Sequence, residues 1–297
     1  VILVTGGAGF VGSHLVDKLI DLGYHVRVID DESATENKKF YWNPKAENYK
    51  LDILDYESTR KLYDNVKIVY HFAARSRIQP SVINPGNTLN TNVLGTFNVL
   101  KCASEAGVDR LIFSSSSSVY GNNPPPNIET QSPDCLTVYS ASKLVGENLC
   151  FSFNMMSKIK TLSLRFFNVY GDRQPTVGEY ATVIGKFIEQ KNAGNPLTIV
   201  GDGEQLRSFT NISDIVEACL LAGMLDVEGH NFGKSYNVGF EKEYKIKDIA
   251  GMISDNYIHI PKRVGESNAT IADSSRFKHV FGWKPTVYLE DWIRNNV

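Results

Sequence analysis

Two side chains four residues apart offer proton chemistry. In Tyr139-Ser-Ala-Ser-Lys143 a phenol and an ammonium stand at i and i+4, on one face if the segment is helical. Leu144, Leu149 and Phe151 continue such a helix. A free phenol ionises near pH ~10, too high for a base at neutral pH. An adjacent ammonium stabilises the phenolate and draws that value down. The spacing is common by chance, and its meaning depends on what stands upstream.

Upstream stands Thr5-Gly-Gly-Ala-Gly-Phe-Val-Gly12. Val1 to Val4 read as a buried strand, and Phe10, Val11, Leu15, Leu19 and Ile20 recur as a helix face would. Strand, glycine turn and helix suit a dinucleotide pyrophosphate. Gly6 permits the turn, Gly9 the close approach of backbone to phosphate, and Gly12 the packing of helix on strand. The helix N-terminus then offers N–H groups and a positive dipole end to the anion. Asp30 closes the next strand, His25–Asp30, at 18 residues past Gly12. A carboxylate there accepts hydrogen bonds from ribose hydroxyls and repels a 2′-phosphate, which favours NAD over NADP. Asp31 and Glu32 add to that field, and an exposed strand-end acid is the plainer reading.

Other candidates lie where strands end. Lys50–Asp55 reads as a third strand and its exit; Asp52 and Ile53 suit an adenine site, while Asp55 equally suits a helix cap. Lys67–Ala74 reads as a fourth strand ending in Phe72, Ala73 and Ala74, small enough after the ring for a flat cofactor. Arg75 and Arg77 follow; they fit a phosphate or carboxylate clamp, or are solvated loop charges. Arg110–Gly121 is the fifth strand, running into Ser114–Ser118, hydroxyls suited to a polyhydroxylated ligand or simply to a loop. Pro124–Pro126 begins an exposed loop. Asn87–Ala106 reads as one long helix, apolar round much of its circumference. It faces either a subunit interface or the interior. Lys160–Arg165 is a sixth strand. Asp214 reads as the N-cap of the helix it opens, and Phe281-Gly-Trp283 as packing.

Composition narrows the class. With 297 residues and 42% hydrophobic content the chain can bury one large α/β core or two unequal ones. A net charge of −2 without dense Lys/Arg runs argues against nucleic acid and anionic membrane as partners. Cys102, Cys135, Cys150 and Cys219 are widely spaced, so neither a metal site nor a disulfide framework is expected, and a reducing cytoplasm fits. No apolar run reaches membrane-spanning length, and no signal peptide stands out. The first residue is not Met, so residues ahead of Val1 are expected.

Thr5–Gly12, Asp30, Ser114–Ser118 and Tyr139-x-x-x-Lys143 together resemble the extended short-chain dehydrogenase/reductases. Within them the chain looks like the NAD-dependent nucleotide-sugar epimerases of the UDP-glucose 4-epimerase kind. The likeness spans the chain, through Asn92–Thr96, Leu164–Gly171, Gly201–Arg207 and Tyr236–Gly239. It implies a Rossmann-like, doubly wound parallel sheet at 1–165 and a smaller C-terminal α/β substrate domain at 166–297, some segments of which return to the first. Tyr139 would be the catalytic base, Lys143 its activator, and Ser116 the serine that bonds the reacting oxygen. Besides the glycines and acids above, Phe10, Val11, Phe72, Ala73, Ala74, Asn92, Ser114 and Phe166 would border the cofactor. Arg75, Arg77, Ser117 and Ser118 would border the sugar, and Asn168, Arg207 and Arg263 the nucleotide diphosphate. Thr270 aligns with the position that limits room beside the sugar C2 substituent.

Departures sharpen the reading. Related 4,6-dehydratases carry Thr-Asp-Glu at Ser116–Ser118, and decarboxylases place Glu at Ser118; neither acid is present. Asp172 stands for a usual proline, Ser208 for an aspartate, and Ser76 for a lysine near the diphosphate. The resemblance therefore implies C4 epimerisation of a UDP-hexose or UDP-N-acetylhexosamine through a 4-keto sugar. UDP-glucuronate epimerisation or another nucleotide-sugar oxidoreduction is the alternative, and a non-catalytic NAD(H) sensor the remote one. A homodimer built on the 87–106 and 139 helices is implied too.

Overall fold

The computed structural model describes residues 1–34, 39–178 and 181–297. Its strands in chain order are β1 (Ile2–Thr5), β2 (Val26–Asp30), β3 (Glu47–Lys50), β4 (Ile68–His71), β5 (Arg110–Ser116), β6 (Lys160–Phe166), β7 (Val169–Tyr170), β8 (Leu197–Val200), β9 (Leu206–Ser208), β10 (Thr210–Asn211), β11 (Lys234–Val238), β12 (Glu243–Lys245), β13 (Tyr257–Ile260) and β14 (Ala269–Thr270). The helices are α1 (Phe10–Asp21), α2 (Tyr56–Thr59), α3 (Ile78–Ile83), α4 (Pro85–Leu89), α5 (Thr96–Glu105), α6 (Val138–Met156), α7 (Val183–Asn192), α8 (Ile212–Met224), α9 (Ile246–Ile253), α10 (Ser275–Phe281) and α11 (Leu289–Asn296).

Seven strands form one parallel sheet in the order β11-β6-β5-β4-β1-β2-β3. A parallel sheet needs cover on both faces, and its inner strands are apolar on both. Alternate side chains divide accordingly. Val4, Val28, Tyr70, Ile112 and Leu162 pack on α1 and α8, whereas Leu3, Ile29, Val69, Leu111 and Phe113 pack on α5 and α6. The winding direction reverses between β1 and β4, and such a switch point opens a crevice beyond the carboxyl ends of the strands.

The chain after β6 serves two places. β11 closes the edge of the central sheet, and α8 and α10 cover one of its faces. The three-stranded β12-β9-β14 sheet, the β8–β13 pair and α7, α9 and α11 build a smaller layer around Phe187, Leu197, Ile199 and Ile249. Among the described residues no helix is long and apolar enough to cross a membrane.

Three local expectations change. The third strand lies earlier, at β3, so Asp52 and Ile53 sit in the loop after it, and Asp55 caps α2 through the Ser58 N–H. The 87–106 helix is not uniform: a π turn at Asn90–Gly95 separates α4 from α5. Gly95 packs so closely on Ile53 that a Cβ would come within 2.9 Å of its Cγ1. Asn211, not Asp214, caps α8. The Asp214 carboxylate instead accepts from the Thr286 and Val287 N–H groups at 2.9 and 3.2 Å, because burial at 4% exposure leaves it no water partner.

Candidate active site

The glycine turn is shaped by contact. Gly6 has φ +71°, where a Cβ would lie 2.6 Å from the Ala73 nitrogen; a Cβ on Gly12 would collide with the Gly6 carbonyl. Gly9 is the N-cap of α1 and supplies no side-chain cap, and the first turn holds no acid. The N–H groups of that turn therefore point into the crevice without competition from a carboxylate. The Asp30 oxygens accept from the Ala8 and Glu32 N–H groups at 3.0 and 2.9 Å, which fixes the carboxylate at the strand end. Burial raises its pKa, and these two bonds oppose the rise.

The crevice is a cavity of about 470 Å³. Gly6, Gly9, Phe10, Val11, Gly12, Asp30, Asp31, Asp52 and Ile53 line one end, with Phe72, Ala73 and Ala74 at its floor. Phe72 and Phe166 stack with centroids 6.5 Å apart and give it an apolar flank. The cradle that a Cβ would fill, the uncapped helix end and the fixed Asp30 together match a dinucleotide.

At the far side α6 begins. Thr137 caps it in a reciprocal pair with Ser140, so Tyr139 sits in the first turn, where the helix dipole favours an anion. Burial raises the Tyr139 pKa; a hydrogen bond with Ser116 and the charge of Arg77 pull it back down. Ser116 also accepts from the Ser118 N–H at 3.2 Å. Lys143 donates to the Ser114 carbonyl at 2.8 Å, with its Nζ 6.0 Å from the centre of the Tyr139 ring. Burial draws its pKa down to about 8, against the Glu147 charge. Ser114, Ser116, Ser117 and Ser118 all line the cavity, and the Ser118 hydroxyl is buried there without a partner among the described residues.

Arg77, Asn168, Arg207, Arg263 and Thr270 also face the cavity. Arg207 is held by the Leu206 and Ser267 carbonyls at 2.8 and 2.6 Å, and Thr270 is its register partner across β9 and β14. Asn168 donates to the Ser208 carbonyl at 2.8 Å. Arg263 lies 3.8 Å from Glu266 at the mouth. Two expected residues stand outside the lining. Asn92 is spent on the loop after β4, accepting from the Arg75 N–H at 2.7 Å and donating to Ser142 at 2.9 Å. Arg75 turns to the Ser33 carbonyl at 3.0 Å. Among further lining residues, Gln205 lies within the Gly201–Arg207 stretch beside Arg207, Thr91 lies in the π turn before α5, and Lys186 of α7 and Glu266 ahead of β14 come from segments that no motif marked.

The sequence profile of the NAD-dependent epimerase/dehydratase family matches residues 2–239. The chain belongs to that family. NAD is accordingly its cofactor, and the glycine cradle with Asp30 fits it. A putative UDP-glucose 4-epimerase of Methanocaldococcus jannaschii is 36% identical, covering 99% of both chains. UDP-glucuronic acid decarboxylase 1 of Danio rerio is 30% identical over all of this chain and 71% of its own length. Among solved structures, the UDP-glucose 4-epimerase of Thermotoga maritima with UDP-glucose superposes with a TM-score of 0.92 at 32% identity, covering 99% of this chain and 96% of that one. The family thus spans epimerases and decarboxylases of UDP-sugars.

Proposed function

We propose that the protein epimerises a UDP-linked hexose or N-acetylhexosamine at C4. The observation that carries this is the meeting of Tyr139 and Ser116 in the cavity lining, with Lys143 one turn on and hydroxyls rather than carboxylates at Ser116–Ser118. Tyr139, as phenolate, takes the C4 hydroxyl proton, holds it while the 4-keto sugar turns, and gives it back. Ser116 donates to the reacting oxygen. The Lys143 ammonium and the α6 N-terminus stabilise the phenolate. NAD, held by the glycine cradle and Asp30, would supply a reversible hydride acceptor for C4, with no net redox change. Arg207 and Arg263 hold the diphosphate, Asn168 borders it, and the unpartnered Ser118 hydroxyl meets a sugar hydroxyl.

Thr270, small and 5% exposed, leaves room beside C2. A panel of UDP-sugars resolved by chromatography tests the reading. It expects C4 epimers of UDP-N-acetylglucosamine, UDP-glucose or both, without net NADH; net reduction or loss of carbon dioxide overturns it. Thr270→Tyr should depress turnover of the N-acetyl sugar far more than that of UDP-glucose, by steric exclusion. Equal losses refute the role given to Thr270.

A second reading, epimerisation of UDP-glucuronate, draws on Arg77. Its backbone holds φ +129°, a region that favours glycine, and its guanidinium acts on Tyr139 across the site. A cation so placed suits a C6 carboxylate, and the same panel carries that sugar.

The exposed Leu94, Phe97, Phe151 and Met155 on the paired α5 and α6 region form an apolar face. It supports a two-fold homodimer. The four unpaired cysteines suit a cytoplasmic enzyme.

A further inference from the structure

The end of β5 is gripped by successive turns of α6. Lys143 donates to the Ser114 carbonyl, and Glu147, one turn further on, accepts from the Ser115 hydroxyl. The next residue, Ser116, is the one bonded to Tyr139. Tyr139, Lys143 and Glu147 are thus a stripe at i, i+4 and i+8, each member matched to one of three consecutive serines. Gly146 permits the grip, since a Cβ there would enter the Phe113 ring.

Glu147 is itself only 7% exposed. Arg165 on β6 holds it with two nitrogens, Nε to Oε1 at 2.8 Å and Nη2 to Oε2 at 2.7 Å. The third nitrogen donates to the Tyr120 hydroxyl at 2.8 Å, which donates to Asn237 on β11 at 2.6 Å. A buried ion pair stabilises a fold no better than apolar residues of similar volume, so stability alone gives no reason for a carboxylate here.

Resting on the catalytic reading above, we infer that Glu147 is a positioning residue, holding through Ser115 the Ser114–Ser116 strand end, to which Lys143 is bonded, in register for proton transfer at Tyr139. Lys143 meets few other charges. The Cys150 thiol lies two turns along α6, Tyr139 one turn before, and His71, kept neutral by burial, comes from β4. From β5 it meets the Ser114 carbonyl and the Phe113 ring face, and from β6 Arg165 lies beyond Glu147. Burial drives the ammonium toward losing its proton, and the Glu147 carboxylate opposes that loss.

The test uses the full chain with Glu147→Gln and Arg165→Met together, so that no lone guanidinium is left buried. The protein is labelled with [ε-13C]lysine, and the Lys143 resonance is assigned by its loss in Lys143→Arg. In the double variant the Lys143 titration midpoint should fall, by less than about one pH unit because the more distant Arg165 cation is removed with the carboxylate. The alkaline limb of kcat should move down with it, while KM for the sugar changes less than about twofold. An unmoved midpoint with only a lowered melting temperature overturns the inference. The resonance reads Lys143 without turnover, so a protein that epimerises none of the sugars still decides this point. If the double variant does not fold, Ser115→Ala cuts only the bridge from β5 to Glu147. It should lower kcat and leave KM in place; an unchanged kcat overturns the positioning role.

Discussion

At the scale of single residues the site depends on groups burial would normally silence. Tyr139 is pushed toward neutrality by its surroundings and returned toward ionisation by Ser116 and Arg77. Tyr139→Phe should fold, bind NAD and lose at least ~10²-fold in turnover in a coupled assay, the lower end for a missing acid–base group; near-normal turnover would contradict the assignment. His71 shows the opposite economy. It is fully buried between the Thr5 and Thr96 hydroxyls at 2.7 and 3.0 Å, and burial drops its pKa to about 3 from 6.5. Its folded value is depressed, so between pH 6.5 and about 3 the unfolded chain binds a proton that the folded one refuses. Stability is therefore lost as pH falls through that window, with a slope of up to about 1.4 kcal/mol per unit from this residue. Urea titrations across that range should show the decline, and His71→Gln should flatten it. An equal slope in both proteins would assign the acid sensitivity elsewhere.

At the scale of elements the glycine turn and α1 act as one device. Gly12→Ala forces a methyl onto the Gly6 carbonyl and displaces the helix end. By calorimetry the parent should bind NAD much more tightly than NADP, because Asp30 repels a 2′-phosphate, and Gly12→Ala should bind neither while keeping its circular dichroism. Equal affinities for the two cofactors in the parent would refute the role of Asp30. Much of this was legible in the sequence because strand, turn and helix are written in local periodicity: β1, β2, β4, β5 and β6 fall within a few residues of their expected spans. What was not legible depends on contacts between distant segments. The π turn at Asn90–Gly95 answers to Ile53, more than thirty residues away. Asp214 reads as a cap until the chain near Thr286 arrives to use its oxygens. Asn92 and Arg75 sit in motifs that look like lining, yet their polar groups are taken by Ser142 and Ser33. Lys186 and Glu266 reach the cavity only through tertiary packing.

At the scale of the whole molecule, α5 leaves Phe97 at 41% and α6 leaves Met155 at 68% exposure, large apolar side chains that a second copy could cover. Light scattering should give twice the chain mass of 33.1 kDa. Phe97→Asp with Met155→Asp should halve it, whereas a wild-type monomer at micromolar concentration would speak against a dimer. The path of β11 carries another consequence. This strand, from the later part of the chain, hydrogen-bonds β6 along the edge of the central sheet, and its Asn237 is tied to the chain at Asn127 and Asp273. A crossover between relatives near residue 165 would therefore divide the central sheet itself, parting β11 from the β6 neighbour it is matched to. Such a chimera would import a foreign edge strand along with a foreign β9 layer. Recombination, natural or engineered, has to exchange the loops of the β9 layer while leaving residues 234–238 with their own sheet.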